Sequence, residues 1–375
     1  MPSGVSAGRG EHLAAERSCP QILNVLQGAI EAFRRAGREA DRQKTFPLDG
    51  VQALRDLGAL AHFGADEPDP LELMEALRIV GRADLSLGRI FEGHVNACAL
   101  IRWYGSLAQL RQLERSLSTG QVYGVWNTEQ PQGVRLCVAA GEPGRLVGAK
   151  TFATGGGFID WAIVTARPEV GDPVMVLAPA SDPLRARPET WQVRGMRGTV
   201  SGAYDLTGVA ATDDRLVGAP GDYSREPRLS AGAWRFAAVQ LGGIERVVTL
   251  FRDQLAASAD PDPIHRARFA EAVAECRSAY LRVREAAVRA ENANAVDDAA
   301  AFVRLCRGVV ERAALRCMEA ATRCVGTKAF FEDHPLDQAC RDLGLYLRQP
   351  APDRAADSAA LDFLIQDRWT GDRLW

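Results

Sequence analysis

The sequence predicts an α+β multidomain protein in which a β domain lies between two helical domains. Apolar residues recur at three- and four-residue steps before about residue 118 and again after about residue 228, which is the period of helices. In between, glycines become frequent and short β-branched runs alternate with turn residues, which is typical of strands. The domains are predicted at residues 1–118 (N-terminal, all-α), 119–220 (middle, all-β) and 221–375 (C-terminal, helical bundle).

The N-terminal region carries a clear helical pattern. FPLDGVQALRDLGAL, residues 46–60, places its apolar residues on one face and has Gly58 near its end, where helices often stop. A second pattern, residues 94–120, is interrupted at Gly105 and Ser106, and a serine in this position is typical of a helix cap.

The middle region is predicted to hold short strands separated by tight turns. The runs show alternation or β-branched enrichment and are bounded by glycine or proline. They are RLVGAK (145–150), DWAIVTARP (160–168), PVMVLAP (173–179) and GAYDLTGVAAT (202–212).

Three long apolar stripes follow and predict an antiparallel bundle with short connections, at residues 229–258, 265–291 and 297–326. Cys306, Cys317 and Cys324 recur on the last stripe, so we interpret them as small apolar residues of a helix seam. The eight cysteines contain no CxxC pair, which argues against a zinc site or a redox dithiol, and no metal is predicted.

The composition is that of a globular protein. The chain has 375 residues, 47% of them hydrophobic and 25% charged, with a net charge of −3. This balance gives no electrostatic reason to expect a nucleic-acid or membrane partner, and no apolar run approaches the roughly 20 residues of a membrane span. The N-terminus has no apolar signal core, so we expect a cytoplasmic protein.

Four segments in a fixed order carry a resemblance to a known family. They are VWNTEQPQG (125–133), GAKTFATGGGFIDWAIV (148–164), RGMRGTVSGAYDLTGVAATDDRLVG (194–218) and GTKAFFEDHPLDQACRDLGLYLRQPAPD (326–353). Together with the α–β–α order they resemble the acyl-CoA dehydrogenase superfamily over roughly residues 40–348. The third segment closes the β domain onto the helices in relatives, so we expect it to have a structural role.

The resemblance implies a β-barrel or β-sandwich, a C-terminal four-helix bundle and FAD bound between them. Thr128 would reach the pyrimidine side of the flavin, Phe152 would stack on the ring and Thr154 would lie on its N5 side. Fixed donors beside the N1–C2=O edge stabilise reduced flavin, because that edge gains charge on reduction. The candidate cofactor-binding residues are Trp126, Asn127, Thr128, Phe152, Ala153, Thr154 and, for the phosphates, Arg268 and Gly326.

The usual catalytic glutamate of these dehydrogenases is missing. The place where most relatives carry it is Gln349–Pro350, and the alternative place, SAGAWRF (230–236), also lacks an acid. His94 and His334 are candidate replacement bases, because a neutral imidazole accepts a proton near pH 7. Glu92 and Glu129 are further acids near the expected cavity.

Three functions follow from this pattern. The leading hypothesis is a flavin oxidoreductase that removes hydrogen from the α and β carbons of an acyl thioester with a relocated base. The first alternative is a flavin-dependent monooxygenase that uses O2 and FMN, or reduced flavin from a reductase. The second is a scaffold subunit that lacks a base and pairs with a homologous subunit. Relatives assemble through the bundle, so we expect a homodimer or homotetramer, with a hetero-oligomer as the partner of the last hypothesis.

Overall fold

The computed structural model describes residues 19–65, 68–128, 131–139, 141–291 and 299–365. Helices occupy the first part of the chain. They are α1 (Cys19–Gly28), α2 (Ile30–Gln43), α3 (Leu48–Asp56), α4 (Ala59–Ala65), α5 (Pro70–Ala83), α6 (Leu85–Tyr104) and α7 (Leu107–Ser118).

The two helix-end predictions in this region have different outcomes. Ser106 is the N-cap of α7, and it forms a reciprocal capping box with Gln109, as expected for a serine at this position. Residues 46–60, in contrast, form two helices, because Gly58 has a φ of +79° and divides α3 from α4. A residue in the left-handed conformation ends a helix and changes the direction of the chain, and glycine adopts this conformation without steric cost.

The β domain consists of three small sheets rather than one continuous barrel. Their strand orders are β1-β5-β6-β10, β2-β3-β9 and β4-β8-β7, and β1 runs parallel to β5. The strands are β1 (Tyr123–Trp126), β2 (Arg135–Cys137), β3 (Gly144–Val147), β4 (Ala149–Lys150), β5 (Trp161–Ala166), β6 (Val174–Pro179), β7 (Ala186–Arg187), β8 (Ala203–Asp205), β9 (Ala210–Ala211) and β10 (Leu216–Val217).

The last part of the chain is helical again, with α9, α10 and α11 packed on one another and α5 against α9. The helices are α8 (Arg228–Ala231), α9 (Trp234–Ala256), α10 (Pro263–Glu291), α11 (Ala299–Val325), α12 (Pro335–Tyr346) and α13 (Pro352–Ile365). The contact of α5 with α9 requires glycine, since a Cβ on Gly242 would lie 2.2 Å from the carbonyl oxygen of Arg78. The predicted α+β class is confirmed, and the described chain is mostly helical with small sheets.

Two of the cysteines on the predicted seam of α11 are completely buried. Cys306 and Cys317 have no exposed surface, and the Cys317 thiol donates to the carbonyl of Ala272 on α10 at 3.4 Å. Burial raises the pKa of both thiols to about 12, so they stay protonated at neutral pH. They act as small apolar residues of the helix interface.

Candidate functional site

A cleft of about 770 Å³ lies between the β domain and the helices, which is within the usual size range of cofactor and small-molecule sites. The β-domain wall includes Val125, Asn127, Thr128, Phe152, Thr154, Trp191, Met196, Thr199 and Ser201. The helical wall comes from α6, the start of α9 and the end of α12, and includes Glu92, Asn96, Trp103, Tyr104, Arg235, Phe236, Tyr346 and Gln349.

A buried lysine fixes the end of β1 at the edge of the cleft. Lys150 is completely buried, and its Nζ donates to the carbonyl of Asn127 at 3.1 Å and to Thr165 Oγ1 at 2.9 Å. Thr165 Oγ1 in turn donates to Asn127 Oδ1 at 2.8 Å. Because the amide oxygen of Asn127 is occupied, its Nδ2 is the group left to donate to a ligand. The backbone of Thr128 is held as well, since its carbonyl accepts from Thr151 N at 3.0 Å.

Three hydroxyls form a chain with a fixed direction. Thr199 Oγ1 donates to the carbonyl of Met196 at 2.8 Å, and Ser201 Oγ donates to Thr199 Oγ1 at 2.8 Å. Thr154 Oγ1 lies 2.9 Å from Ser201 Oγ. A hydroxyl has one proton, and that of Ser201 is already used, so Thr154 must donate to Ser201. The Thr154 oxygen is therefore left with acceptor lone pairs for a ligand.

The aromatic residues of the two β motifs have different positions. Phe152 is 48% exposed, has a φ of +52° and meets the Trp191 ring edge-on at 5.6 Å. Trp126 is instead buried beneath the wall, where its Nε1 donates to the carbonyl of Thr154 at 3.1 Å. Ala153 is buried too, and its N–H donates to the carbonyl of Gly202. Of the three, Phe152 offers a ring to the cleft, while Trp126 and Ala153 hold the backbone around Thr154.

Both carboxylates among the described lining residues are paired with arginines. Glu92 is almost completely buried on α6, where it forms an ion pair with Arg89 and accepts a hydrogen bond from Asn96. Asp222 forms an ion pair with Arg225 at 2.5 Å. In both residues a carboxylate oxygen lies against a guanidinium, so neither carboxylate stands alone in the cleft.

His94 lies inside the protein and does not line the cleft. Its Nδ1 accepts from the N–H of Tyr123 at 3.1 Å, and its Nε2 lies 3.0 Å from the carbonyl of Leu60, to which it donates. The ring is completely buried, and burial lowers its pKa to about 4. Both nitrogens connect backbone segments, so this histidine joins α4 to β1.

The remaining predicted site residues lie elsewhere. His334 is the N-cap of α12, and its Nδ1 accepts from the N–H of Leu336 at 3.2 Å. Arg268 lies in the first half of α10, and Gly326 follows α11 with a φ of +73°; neither is among the described residues that line the cleft. Glu129 falls outside the described residues.

Sequence reasoning missed two polar groups of the helical wall. Arg235 is 4% exposed, forms an ion pair with Glu291 and donates to Asn96 Oδ1 at 3.3 Å. Tyr346 at the end of α12 is buried and its hydroxyl has no hydrogen-bond partner among the described residues. An arginine inside the apolar run AWRFAAVQLGG was a usable signal, because a buried arginine requires a partner; Tyr346 carried no such signal.

Curated sequence relatives of the chain are named as oxygenases. No protein-family model matches the chain. A dibenzothiophene monooxygenase of Mycolicibacterium goodii is 26% identical over 202 residues, which is 51% of this chain and 48% of that protein. The oxygenase component of an FADH(2)-dependent resorcinol hydroxylase from Rhizobium sp. (strain MTP-10005) is 27% identical over 219 residues, 53% of this chain and 49% of that protein. The chain thus spans about half the length of the curated relatives it matches.

Solved structures match over nearly the whole chain. FMN-bound TdsC from Paenibacillus sp. A11-2, a dibenzothiophene monooxygenase, superposes with a TM-score of 0.82 at 21% identity, covering 92% of this chain and 97% of that one. The methanesulfinate monooxygenase MsuC from Pseudomonas fluorescens superposes with a TM-score of 0.80 at 18% identity, covering 91% and 96%. The fold is therefore acyl-CoA dehydrogenase-like, as the motifs indicated.

The leading functional hypothesis is wrong. The four proteins named above are three monooxygenases and the oxygenase component of a hydroxylase, and not dehydrogenases. The physical reason for the error is that the ring-facing motifs follow the fold and the cofactor, whereas the reaction depends on the base. Gln349, at the position expected for the glutamate, does line the cleft, but an amide cannot take up a proton from an acyl chain.

Proposed function

We propose that this chain is the oxygenase component of a flavin-dependent monooxygenase, which receives reduced flavin from a separate reductase and inserts one atom of O2 into a small organic substrate. The observation that carries the proposal is the pairing of both cleft carboxylates with arginines, since a dehydrogenase requires a free base beside the substrate. The names of the sequence relatives support the same reaction class. The scaffold-subunit hypothesis gains no support from these names.

The residues of the β-domain wall fit a flavin ring. The wall offers an exposed phenyl face at Phe152, a donor at Asn127 Nδ2 and an acceptor at Thr154 Oγ1. A planar heteroaromatic ring with mixed donors and acceptors on its edge requires such a combination. Flavin is therefore the proposed cofactor, and the FMN and FADH2 of the relatives' names make FMN or free reduced flavin the first forms to test.

When bound, reduced flavin supplies the reaction with O2 and the transfer of one oxygen atom. The protein's part is binding, orientation and exclusion of water. Asn127 and Thr154 would hold the polar edge of the ring, and Phe152 and Trp191 would shield one side of it. The hydroxyls of Tyr104 and Tyr346 have no hydrogen-bond partner among the described residues and are available to orient a polar substrate atom. Arg89 and Glu92 form an ion pair, so together they add no net charge to the helical wall.

The test is oxygen consumption tied to product formation. The purified chain is mixed with chemically or enzymatically reduced FMN or FADH2, O2 and a panel of small aromatic and sulfur compounds, and the products are analysed for incorporation of oxygen from ¹⁸O2. Incorporation of one labelled atom supports the proposal. Release of peroxide alone, at the same rate with and without every compound, contradicts it.

We also propose that the chain forms a homodimer or homotetramer through its C-terminal helices. Ile264, Leu281 and Leu315 are exposed apolar residues on α10 and α11, and burial of such side chains is a common driving force for association. Size-exclusion chromatography with light scattering gives the mass directly, and a monomer would contradict the proposal. The same measurement on protein from the native host detects a homologous partner subunit.

A further inference from the structure

The cleft is strongly cationic. Among its described lining residues, only Glu92 and Asp222 are carboxylates, and both are paired. The arginines that line it are Arg89, Arg228, Arg235, Arg307, Arg348 and Arg354. Arg89, Arg235 and Arg348 each have a carboxylate partner, so half of the set is neutralised locally. The other three have no ion pair within the described part of the chain.

These three arginines, Arg228, Arg307 and Arg354, form what we call the cationic rim. They lie on α8, α11 and α13, and α11 packs against both of the other helices. The carboxylates at this junction form ion pairs with Arg304 on α11 instead: Glu226 at 2.9 Å and Asp362 at 3.3 Å. The rim therefore keeps its positive charge.

Arg228 is the member that is best placed to bind a ligand. It is exposed, and its guanidinium lies 5.1 Å from the ring centre of Trp103 and 5.5 Å from that of Tyr104. The two rings are almost perpendicular, at 84°, so these cation–π contacts restrain the position of the guanidinium and leave its N–H groups to bind a ligand. Arg307 is occupied in part, since it lies over Phe236 at 5.1 Å and donates to the carbonyl of Pro350.

The rim and the hydroxyl chain lie near opposite ends of α6. A Cβ added to Gly198, which precedes Thr199, would lie 3.2 Å from Ser86 near the start of α6, whereas Trp103 is close to the end of the helix. Ser86 and Trp103 are about 25 Å apart along a straight helix. A ring bound at Thr154 therefore leaves space between itself and Arg228 for a second molecule.

We propose that the substrate of this site carries an oxyanion, such as a carboxylate or a sulfonate, that Arg228 binds, with its apolar part directed towards Thr154. The inference rests on the proposed function for the identity of the site, and it goes beyond it in naming the class of substrate. A planar guanidinium binds two oxygens of such a group at once, and the partly apolar walls strengthen the attraction.

Calorimetry with benzoate and its uncharged analogue benzamide tests the inference on flavin-free protein. We expect the wild type to bind benzoate at least about 10-fold more tightly than benzamide, as for a charged hydrogen bond. Arg228→Gln removes this preference, and Arg228→Lys keeps part of it. Arg252→Gln is the matched control, because Arg252 is an exposed arginine on α9 that pairs with Asp253 and does not line the cleft. Equal affinities in the wild type, or a preference that survives Arg228→Gln, would overturn the inference.

A second arm separates a substrate anion from the phosphate of the cofactor. Binding of reduced FMN and reduced riboflavin is measured anaerobically by fluorescence in the wild type and in Arg228→Gln. If Arg228→Gln lowers the affinity for both flavins equally, or for neither, the inference is supported. If the variant lowers the affinity for FMN alone, the phosphate of FMN lies at the rim and the inference is overturned. Failure of the proposed function is seen separately, as absence of oxygen incorporation, because the benzoate comparison needs neither flavin nor O2.

Discussion

The backbone N–H of Met196 donates to Asp342 Oδ1 at 2.5 Å, although the two residues are 146 positions apart in the chain. The Met196 carbonyl accepts from Trp191 Nε1 at 3.0 Å and from Thr199 Oγ1 at 2.8 Å. The loop that ends the hydroxyl chain is thus attached to α12, which also carries Tyr346. The hydrogen bond thus joins the third family-like motif, which lines the cleft with Met196, to the helical wall.

Asp342→Ala should destabilise the protein more than Asp342→Asn does. Alanine leaves the buried N–H of Met196 without an acceptor, which costs about 1–3 kcal/mol, whereas asparagine keeps a carbonyl oxygen in place. Loss of the charge itself costs little, because burial and the nearby Asp84 already raise the pKa of Asp342. Urea unfolding at pH 7 measures both variants. Equal losses would show that the hydrogen bond to Met196 does not stabilise the junction.

The direction of the hydroxyl chain predicts how Ser201→Ala changes the bound flavin. In the wild type, Thr154 would accept from a ligand N–H, and N5 carries a hydrogen only in reduced flavin. Without Ser201, the Thr154 hydroxyl is free to donate, which suits the oxidised form. If the ring is bound with N5 at Thr154, the midpoint potential should fall by about 30 mV, equivalent to about 1.4 kcal/mol for two electrons.

Spectroscopic redox titration of bound flavin measures this shift. Ser230→Ala is the control, since Ser230 also lines the cleft but donates to Glu226, outside the hydroxyl chain. A shift of equal size in the control, or a potential that rises in Ser201→Ala, would contradict the assigned direction of the chain.

Sequence patterns predicted what depends on local order and on the fold, and missed what depends on packing. Thr128, Phe152 and Thr154 were placed together from two motifs about 25 residues apart, and all three line the cleft. His94 was predicted to face the same cavity, but its side chain is directed to backbone groups of α4 and β1. His94 lies about half a helical turn from Glu92 and Asn96, which line the cleft, and on α6, which is buried on most sides, apolar periodicity does not distinguish the two faces.

The burial of His94 predicts a loss of stability on acidification. Its pKa falls from the ordinary 6.5 to about 4 on folding, so the unfolded chain binds the proton more readily between these values. The stabilisation is complete above pH 6.5 and is lost as the pH falls towards 4, by about 3 kcal/mol at most. Asp84 acts in the opposite direction, because burial raises its pKa to about 6 and favours the folded state as the pH falls.

Comparison with His94→Gln isolates the histidine from Asp84. Glutamine keeps a donor and an acceptor but does not titrate, so the difference in unfolding free energy between wild type and variant should shrink as the pH falls from 6.5 to 4. Urea unfolding at half-unit steps of pH gives this difference. A constant difference across the window would mean that His94 titrates alike in both states.

The Arg89–Glu92 pair should behave as a structural ion pair rather than as a catalytic base. Glu92→Gln removes the ion-pair partner of Arg89 and leaves the guanidinium beside a buried, uncharged side chain. The free energy of unfolding in urea should therefore fall by about 3 kcal/mol. The double variant Arg89→Met/Glu92→Leu should recover most of this loss, because removal of both charges also removes the cost of burying them. Oxygen incorporation per bound flavin should stay within about threefold of wild type in Glu92→Gln, against a loss of about 100-fold or more for a general base. A stable but inactive Glu92→Gln variant would instead identify Glu92 as the base and restore the possibility of proton abstraction in this cleft.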